Sequence, residues 1–476
     1  MSEAKTRFIT DWGRNWDLKY TSNLQVSSLA QKFWSERAKS LFYSNQGVGN
    51  YLSGRAAFHI LGIPLDEVRQ GGRTDLDPKY YADFGAMALF VGPPASAIEA
   101  IRENLSAENL YPYPPDLIKE LRDKAAEIIF QNKRNDQFEV IGVEGAQAGI
   151  GYTMLTFLNA GEEIILTDPA YFHFEPGANL AGAIAKRIPL RKENNYRYDP
   201  DEVKKAISLR TKMIVICDPV NPFGTVQTKE ELIEIINLCL EHDIIIFNNI
   251  THNTHQIDQS VSHYPISALY NECNVDHVIS TCGVAKGYGL AAARIGFLAG
   301  HPDLLKAVTI VRMPVGKSNT NLLAQYGVLA AIQDYNHIKN GEKIMRKNLK
   351  HIAKTIDMNE GCSIPVLPQY GYSMVIDVSG TGVTAQEICV ALLKRNISVF
   401  PCDGMGDAYA TTGIRLNISN PDIRACELLR ENLPQAITEA QTGKYAERLA
   451  KWYEQIGTPR GLRIAQIIRL KQNRKK

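Results

Sequence analysis

Short apolar runs alternate with amphipathic stretches through the central part of the chain. In residues 116–131, Leu117, Leu121, Ala125 and Ile128 recur at helical spacing. The apolar runs have the length of buried strands and lie at residues 138–143, 163–167, 213–217, 244–247, 277–280 and 295–299. Because helical segments separate these runs, the pattern predicts an α/β fold, with a three-layer large domain whose central sheet is mostly parallel.

The periodicity changes on both sides of this region. A long helical stretch at 319–345 leads into a second set of elements. These are strands at 372–378, 397–401 and 414–418 and a helix at 385–394. They predict a smaller α+β domain. Towards the N-terminus, helical patterns at 24–42 and 56–61 precede a loop at 71–78 that is rich in Gly and Asp.

These changes divide the 476 residues into four predicted parts. They are an N-terminal extension with part of the small domain (1–85), the large domain (86–330), the small C-terminal domain (331–440) and a basic helical tail (441–476). In the tail, Ile464, Ile467 and Ile468 share one helical face. A solvated terminal helix is expected, and an anchor for an anionic surface is the alternative.

Composition narrows the classes of function. Lys and Arg total 53 and Asp and Glu 51, so a net charge of +2 gives no reason to expect nucleic acid as a partner. No apolar run is long enough to span a membrane, and the N-terminus lacks an apolar signal segment, so a cytoplasmic enzyme is expected. The eight cysteines are scattered without a C-x-x-C pair, which predicts buried free thiols and no metal site.

The candidate chemistry lies directly after predicted strands, where open α/β sheets place their ligands. The segment 144–149 reads E-G-A-Q-A-G, and such small residues let backbone N–H groups approach a phosphate at a helix N-terminus. In the segment 168–172, Tyr171 is placed either to stack on a flat heterocycle or to fill the core. The segment 218–224, D-P-V-N-P-F-G, is a rigid turn that presents Asn221 beyond a strand.

Two basic residues follow the predicted strand at 277–280, and a third lies inside the predicted strand at 414–418. Lys286 stands between small residues, and a desolvated lysine is an amine nucleophile. Arg294 follows eight residues later and is suited to clamp a phosphate. Arg415 lies in an apolar strand and needs an anionic partner, which is either a substrate carboxylate or a structural carboxylate.

The order and spacing of these motifs resemble the class I/II aminotransferases, which are pyridoxal-phosphate (PLP) enzymes of fold type I in the aspartate-aminotransferase-like superfamily. The resemblance runs over residues 111–420. The turn at 218–224 is similar to the family's N-P-x-N-P-T-G motif, with Phe223 where Thr is usual. Lys286 and Arg294 resemble the family's S-x-S-K-x-x-x-x-x-G-x-R-x-G segment.

The resemblance implies a role for each matched residue, with PLP held in the large domain. Lys286 would form the Schiff base and move protons. Asn221 would contact the cofactor's phenolic oxygen, and Tyr171 would stack on the cofactor ring. The phosphate would be held by Ala146, Gln147 and Arg294, and the substrate α-carboxylate would be bound by Arg415. Tyr113, rather than Tyr111, resembles a tyrosine that reaches the partner subunit's phosphate, which implies a homodimer with shared active sites.

The chain departs from the family after the strand at 244–247. The family has D-E-x-Y/H there, and this chain has Asn249 at the Asp position and His252 at the Tyr/His position, with Asn248 as the alternative one residue earlier. An asparagine is neutral and cannot hold a proton on the cofactor's pyridine nitrogen by charge pairing. A neutral pyridine is a weaker electron sink.

A second departure precedes the lysine. Gly283 and Ala285 occupy the family's two serine positions, which removes a phosphate contact that Thr281 or Ser280 would have to replace. Histidines titrate near neutral pH, so His252 and His255 are candidates for acid/base help (His255 has a polar-loop role as the alternative).

The sequence therefore predicts a PLP-dependent enzyme acting on an α-amino acid, with aminotransferase as the first hypothesis. The change at Asn249 keeps a second hypothesis open, a non-transaminating enzyme of the same fold: a side-chain elimination or replacement lyase, a decarboxylase, an oxidase or a cyclase. A catalytically inactive binding homologue is the third. The substrate side chain, the second substrate and the role of the N-terminal extension stay open.

Overall fold

The computed structural model describes residues 32–43, 56–61, 68–69, 72–73, 82–85, 89–134, 136–316 and 319–473. The described residues belong to two compact units. The first unit draws on Met1–Met87, Lys347–Pro365 and Met374–Lys476. The second unit comprises Ala88–Arg346 and Val366–Ser373.

The strands are named here in chain order. They are β1 (Val68–Arg69), β2 (Gly72–Arg73), β3 (Ala82–Asp83), β4 (Glu139–Val143), β5 (Glu163–Asp168), β6 (Ile184–Pro189), β7 (Thr211–Cys217), β8 (Ile245–Asn249), β9 (Val278–Gly283), β10 (Gly296–Gly300), β11 (Ser373–Asp377), β12 (Ile397–Ser398), β13 (Phe400–Pro401) and β14 (Gly413–Asn417).

The helices follow the same rule. They are α1 (Glu36–Tyr43), α2 (Ala56–Leu61), α3 (Ala95–Glu103), α4 (Ala107–Leu110), α5 (Lys119–Lys124), α6 (Ala146–Phe157), α7 (Phe174–Ala181), α8 (Pro200–Ala206), α9 (Lys229–Glu241), α10 (Val284–Gly287), α11 (Pro302–Gly316), α12 (Leu322–Gln333), α13 (Tyr335–Asp357), α14 (Ala385–Leu393), α15 (Arg424–Gln441), α16 (Ala446–Ile456) and α17 (Pro459–Asn473). A π-helical turn, Ala125–Ile129, continues α5.

The second unit is organised around a seven-stranded sheet with the order β4-β10-β9-β8-β7-β5-β6. The strand β10 runs antiparallel to its two neighbours, β4 and β9, and the other neighbouring strands of this sheet pair in parallel. The register sets Cys217, Asn249 and Thr281 side by side near the carboxyl ends of β7, β8 and β9. The loops that follow these three parallel strands therefore leave the sheet at the same edge.

Apolar clusters cover both faces of this sheet. One cluster joins β10 and β4 to α5 and α12, through residues such as Leu121, Phe297 and Val328. The other joins the sheet to α6, α7 and α11, through residues such as Met154 and Phe247. Two helical layers around a mostly parallel sheet confirm the predicted three-layer α/β domain.

All six predicted central strands are present, with ends shifted by at most three residues. The strand β6, which forms an edge of the sheet, was not predicted from the sequence. Its residues Lys186 and Arg187 break the apolar run, because an edge strand has one side open to solvent and tolerates charge. The predicted helical region at 319–345 is divided between α12 and α13 at Asp334.

The first unit contains a three-stranded sheet with the order β11-β14-β13. The run at 397–401, predicted as one strand, is two strands in different sheets. β12 pairs in parallel with β3, and β13 pairs antiparallel with β14. The predicted loop at 71–78 was wrong at Gly72–Arg73, which pairs with Val68–Arg69. Of the helix predicted at 24–42, residues 24–31 lie outside the described residues, and α1 covers the end of the stretch from Glu36.

The C-terminal tail is a packed helix. α17 packs against α16, and Ile464 and Ile468 are buried. Arg469, on the same helix, pairs with Glu447 and Glu454 of α16. The expectation of a solvated terminal helix was therefore wrong for the apolar face, because α16 covers it.

Six of the eight cysteines are buried, and all eight are free thiols. Within the part of the chain that the structure describes, no helix is long and apolar enough to cross a membrane. The same residues contain no group of three or more His, Cys, Asp or Glu side chains placed to hold a metal ion.

The loop after β13 is tied to α16 through a buried carboxyl group. Tyr453 donates a hydrogen bond to Asp403, and both side chains are buried. Burial raises the pKa of Asp403 to about 6, while the Tyr453 hydroxyl opposes that rise. The ionised form of Asp403 is therefore less favourable in the folded chain than in the unfolded chain.

This raised pKa predicts a pH-dependent stability. A carboxyl group whose pKa is higher in the folded state favours folding below its unfolded pKa, near 4, and loses that contribution as the pH rises through about 6. The loss is on the order of 3 kcal/mol. We expect Asp403→Asn, which keeps an oxygen to accept from Tyr453, to gain more stability relative to the wild type at pH 7 than at pH 4. Thermal unfolding at both pH values measures this, and an equal shift at both would contradict it.

Candidate active site

A cradle for an anion forms where α6 begins. Gly145 is the N-cap and offers no side-chain cap, and the backbone N–H groups of Ala146 and Gln147 donate to none of the described residues. The Arg294 guanidinium donates from Nη2 to the Glu144 carbonyl at 2.8 Å, next to this helix end. Two open N–H groups, the positive end of a helix dipole and a guanidinium are the features of a phosphate site.

Two glycines allow this close approach. Gly145 has φ +85°, and a Cβ there would lie 2.6 Å from Nη2 of Arg294. A Cβ on Gly296, at the start of β10, would lie 2.5 Å from the Ala146 nitrogen. A side chain at either position would push the loop and the guanidinium apart, so the small residues are needed to form the cradle.

The turn after β7 presents a buried amide. Asn221 is 3% exposed, and its Oδ1 accepts no hydrogen bond from the described residues. The turn is closed by hydrogen bonds from the Val220 N–H to Thr225 O at 2.8 Å and from the Gly224 N–H to Val220 O at 2.6 Å. A buried oxygen without a donor is costly in a protein interior, which indicates that a ligand supplies the donor.

Phe223 follows in the same turn, at the position where Thr is usual in the motif. It is buried, and its ring stacks on Tyr196 with centroids 4.2 Å apart. The substitution therefore fills the core behind the turn and leaves Asn221 in place.

Lys286 lies in α10, directly after β9, and is half-buried. Its charge acts on His173, whose pKa falls to about 4 mainly because of burial and secondly because of Lys286. His173 also shares a hydrogen bond of 3.2 Å with Nε2 of Gln147, and its ring meets Tyr171 edge-on at 5.3 Å. One imidazole therefore contacts both Gln147 at the phosphate cradle and the Tyr171 ring, and it feels the charge of the lysine.

His173 was not predicted as a site residue. It stands two residues after Tyr171, in the loop between β5 and α7. The available signal was a third ring side chain in the Y-F-H run. Only the fold shows that this ring contacts Gln147 and feels the charge of Lys286.

The structure distinguishes the two asparagines that end β8. Asn248 is fully buried and donates to Ile216 O at 3.1 Å, while Ser280 donates to its Oδ1 at 3.5 Å. Asn249 points to the opposite face of the sheet, the face of Phe247. Phe247 belongs to the apolar cluster that includes α6 and contacts Tyr171. Asn249 is therefore the asparagine on the cradle side.

The hydroxyls proposed to replace the missing serines have other partners. Thr281 is buried and donates to Phe297 O at 3.0 Å. Ser280 is engaged with Asn248 on the far face. Neither hydroxyl takes over the lost contact, so the helix N-terminus and Arg294 carry the candidate phosphate site.

The two candidate histidines differ in environment. His252 is half-buried and stacks on Tyr372, with ring centroids 5.1 Å apart and 21° between planes. His255 is 1% exposed, packs against Gly341, and burial lowers its pKa to about 4. His255 lies in a loop, but it is buried there and not exposed to solvent as a polar loop residue would be.

The tyrosine-bearing segment lies on the surface of the second unit. Tyr111 is 92% exposed and Tyr113 is 80% exposed. The chain just after them is fixed by Asp116, which pairs with the buried Arg312 at 3.0 Å, and by Gln325, whose Oε1 accepts from the Ile118 N–H at 2.6 Å. Two large aromatic rings are therefore exposed on a segment whose following residues are fixed in place.

Arg415 belongs to the first unit. It lies on β14, is 2% exposed, and its guanidinium carbon lies 4.8 Å from the centre of the Phe400 ring on β13. Stacking on an aromatic ring holds a guanidinium flat and leaves its edge for hydrogen bonds. The other candidate residues all lie in the second unit.

Comparison with known proteins agrees with the fold and with these motifs. The chain belongs to the class I and II aminotransferases, whose family model matches residues 83–433. Members of this family use pyridoxal phosphate, so the protein is a PLP-dependent transferase, as the sequence predicted.

Individual relatives are distant but cover most of the chain. The chain is 28% identical to an aspartate aminotransferase of Pyrococcus abyssi, over 74% of this chain and 88% of the relative. It is 28% identical to a histidinol-phosphate aminotransferase of Caldicellulosiruptor saccharolyticus, over 72% and 89%. Among solved structures, an aromatic aminotransferase from Pyrococcus horikoshii superimposes with a TM-score of 0.69 at 23% identity, over 77% and 97%. This likeness confirms the fold.

Proposed function

We propose that the protein is an aminotransferase that acts on an α-amino acid through a Schiff base on Lys286. One observation carries this proposal: the open end of α6 lies beside Arg294, and Gln147 at that helix end bonds to His173. Lys286 is near enough for its charge to lower the pKa of His173. Two of the relatives named above are aminotransferases for different substrates. They support the reaction class and leave the side chain of the substrate open.

The residues present fit pyridoxal phosphate. Ala146, Gln147 and Arg294 would hold the phosphate, and the unpaired buried oxygen of Asn221 would accept from the phenolic group. The Tyr171 ring would lie against the cofactor ring. When bound, the cofactor supplies an aldehyde that condenses with amines and a ring that withdraws electrons from the bonds at Cα.

The chain's own residues would then orient the substrate and move one proton. Arg415 would hold the substrate carboxylate in a bidentate pair. Lys286, released when the substrate amine takes its place, would remove the proton from Cα with its Nζ. Burial and Lys286 keep His173 neutral, so it adds no charge that competes with the lysine for this proton. His252, stacked on Tyr372, is the second candidate acid/base group.

A homodimer is part of this proposal. Tyr111 and Tyr113 are large, exposed rings on a segment that is anchored to the second unit. A second copy of the chain would bury them, with Tyr113 reaching the partner's phosphate site. We also propose that the enzyme works in the cytoplasm.

A non-transaminating reaction is the second candidate, and Asn249 favours it. A ring that withdraws electrons less strongly slows the proton transfers that transamination requires. A lyase, decarboxylase, oxidase or cyclase would reach its product by another route. The intact cradle, Asn221 and Lys286 argue against an inactive binding homologue.

The absorbance spectrum of the holoenzyme separates these functions. We expect a panel of amino acids to convert the bound cofactor to its amine form, and a 2-oxo acid to restore the starting spectrum. Return of the starting spectrum without any 2-oxo acid would instead indicate elimination, replacement or oxidation. No spectral change with any amino acid would favour the binding homologue.

A further inference from the structure

We propose that Asn249 donates a hydrogen bond to the ring nitrogen of pyridoxal phosphate and thereby keeps that nitrogen unprotonated. The inference rests on the proposed function, because it requires the cofactor ring to lie between the phosphate cradle and Tyr171. Beyond the proposed function, Asn249 is assigned the role of hydrogen-bond donor, and the ring nitrogen is assigned its neutral, unprotonated form. Asn249 is thus a specificity-determining residue.

The orientation of the Asn249 amide follows from its neighbour. The Thr251 backbone N–H lies 3.0 Å from Oδ1 of Asn249. A backbone N–H can only donate, so the side-chain atom that it contacts must be the amide oxygen. The turn therefore uses the only acceptor of the side chain.

The other end of the amide is the nitrogen Nδ2. No hydrogen bond joins Nδ2 to another described residue, and Nδ2 is not one of the fully enclosed side-chain atoms without a partner, so it keeps some accessible surface. Asn249 is 5% exposed, so few water molecules can reach the group. A ligand atom next to Nδ2 must be an acceptor, since two donors cannot pair. A pyridine nitrogen accepts only in its unprotonated form.

An aspartate at this position would have the opposite effect. One carboxylate oxygen would accept from the Thr251 N–H, and the second oxygen would take the place of Nδ2. That oxygen would be an anionic acceptor, which favours a protonated ring nitrogen. The two side chains have nearly the same shape, so the choice between them changes the charge state with little change in packing.

The neighbouring carboxyl group does not substitute for the missing charge. Asp218 follows β7 next to the end of β8, but its Oδ1 accepts from the Gln227 N–H at 3.1 Å. Its Oδ2 lies 3.5 Å from Nε2 of the buried His263. Burial raises the pKa of Asp218 and lowers that of His263, which disfavours the charged form of each group.

The charge state of the ring nitrogen can be measured directly. The holoenzyme is prepared with pyridoxal phosphate carrying ¹⁵N in the ring, and the chemical shift is recorded by solid-state NMR. We expect the wild type to show the shift of an unprotonated pyridine. Asn249→Asp is expected to move it to the position of a protonated pyridine. Proton exchange at the substrate Cα should then accelerate by roughly tenfold or more, because a protonated ring withdraws electrons from Cα more strongly.

A matched control exists elsewhere in the same unit. The Oδ1 of Asn274 accepts from the Asp276 N–H at 2.9 Å, which is the same local turn. Asn274 is exposed and precedes the amino end of β9, whereas Lys286 follows its carboxyl end. Asn274→Asp makes the same chemical change and should leave the ring shift unchanged.

The outcomes separate the inference from the function on which it rests. An unprotonated ring in the wild type and a protonated ring in Asn249→Asp support it. A protonated ring in the wild type overturns it whether or not any variant folds, and so does a shift that Asn249→Asp leaves unmoved. A chain that retains no labelled cofactor refutes the proposed function instead.

Discussion

Replacing Lys286 by alanine is expected to abolish the absorbance band of lysine-bound pyridoxal phosphate and to reduce turnover by at least ~10³-fold. Two losses combine in this variant: the covalent attachment of the cofactor and the base that removes the Cα proton. Phosphate binding at the start of α6 does not depend on this side chain, so the variant should still retain cofactor non-covalently. Spectra of the dialysed variant and steady-state assays measure the two effects.

Lys229→Ala is a suitable control for this result. Lys229 starts α9 in the same unit and pairs with Glu272, partly exposed to solvent. Its removal should change neither the spectrum nor turnover. A normal cofactor band in the Lys286 variant would show that another amine holds the cofactor, and the site would have to be reassigned.

Arg415→Gln is expected to have the second-largest effect on activity. It should weaken the interaction with the substrate and leave cofactor binding unchanged. Loss of a buried charge pair with the substrate carboxylate is expected to lower kcat/KM for amino acids by roughly 10² to 10³-fold. A primary amine without a carboxylate should lose little, because it does not use the guanidinium. The cofactor spectrum should be unchanged. Assays with an amino acid and its decarboxylated amine measure the difference.

Arg424→Gln is the corresponding control. Arg424 begins α15 in the same unit as Arg415 and pairs with Glu427 and Glu431 near the surface. Exposed ion pairs contribute little, so this variant should retain the wild-type activity. An equal loss for the amino acid and the amine in Arg415→Gln would assign Arg415 a structural role.

The sequence predicted the central strands well because they are buried on both faces. Their apolar runs are continuous, and the small or polar residues that follow them mark the loops of the site. The edge strand β6 has no such run, because Lys186 and Arg187 are tolerated where one side of the sheet is open. The break at Val399 between β12 and β13 could not be predicted either. It arises because β12 pairs with β3 and β13 pairs with β14, and β3 is distant in the sequence.

Site residues were also predictable where a local motif fixes them, and not where contacts distant in the sequence bring them together. Residues within motifs, such as Asn221 and Lys286, were recognisable because a turn or a strand end fixes their position along the chain. His173 was not, because its surroundings depend on Gln147 at the start of α6 and on Lys286 in α10, which are distant in the sequence. The tail was misjudged for a related reason. A basic helix looks solvated until α16 is seen to cover Ile464 and Ile468.

The most direct test of the account is to find which residue carries the cofactor. Borohydride reduction of the holoenzyme converts the C=N bond into a stable linkage, and digestion followed by mass spectrometry locates the pyridoxyl group. The account predicts the modification on Lys286 and on no other lysine. Modification of a different lysine, or none after reduction of the coloured enzyme, would contradict it.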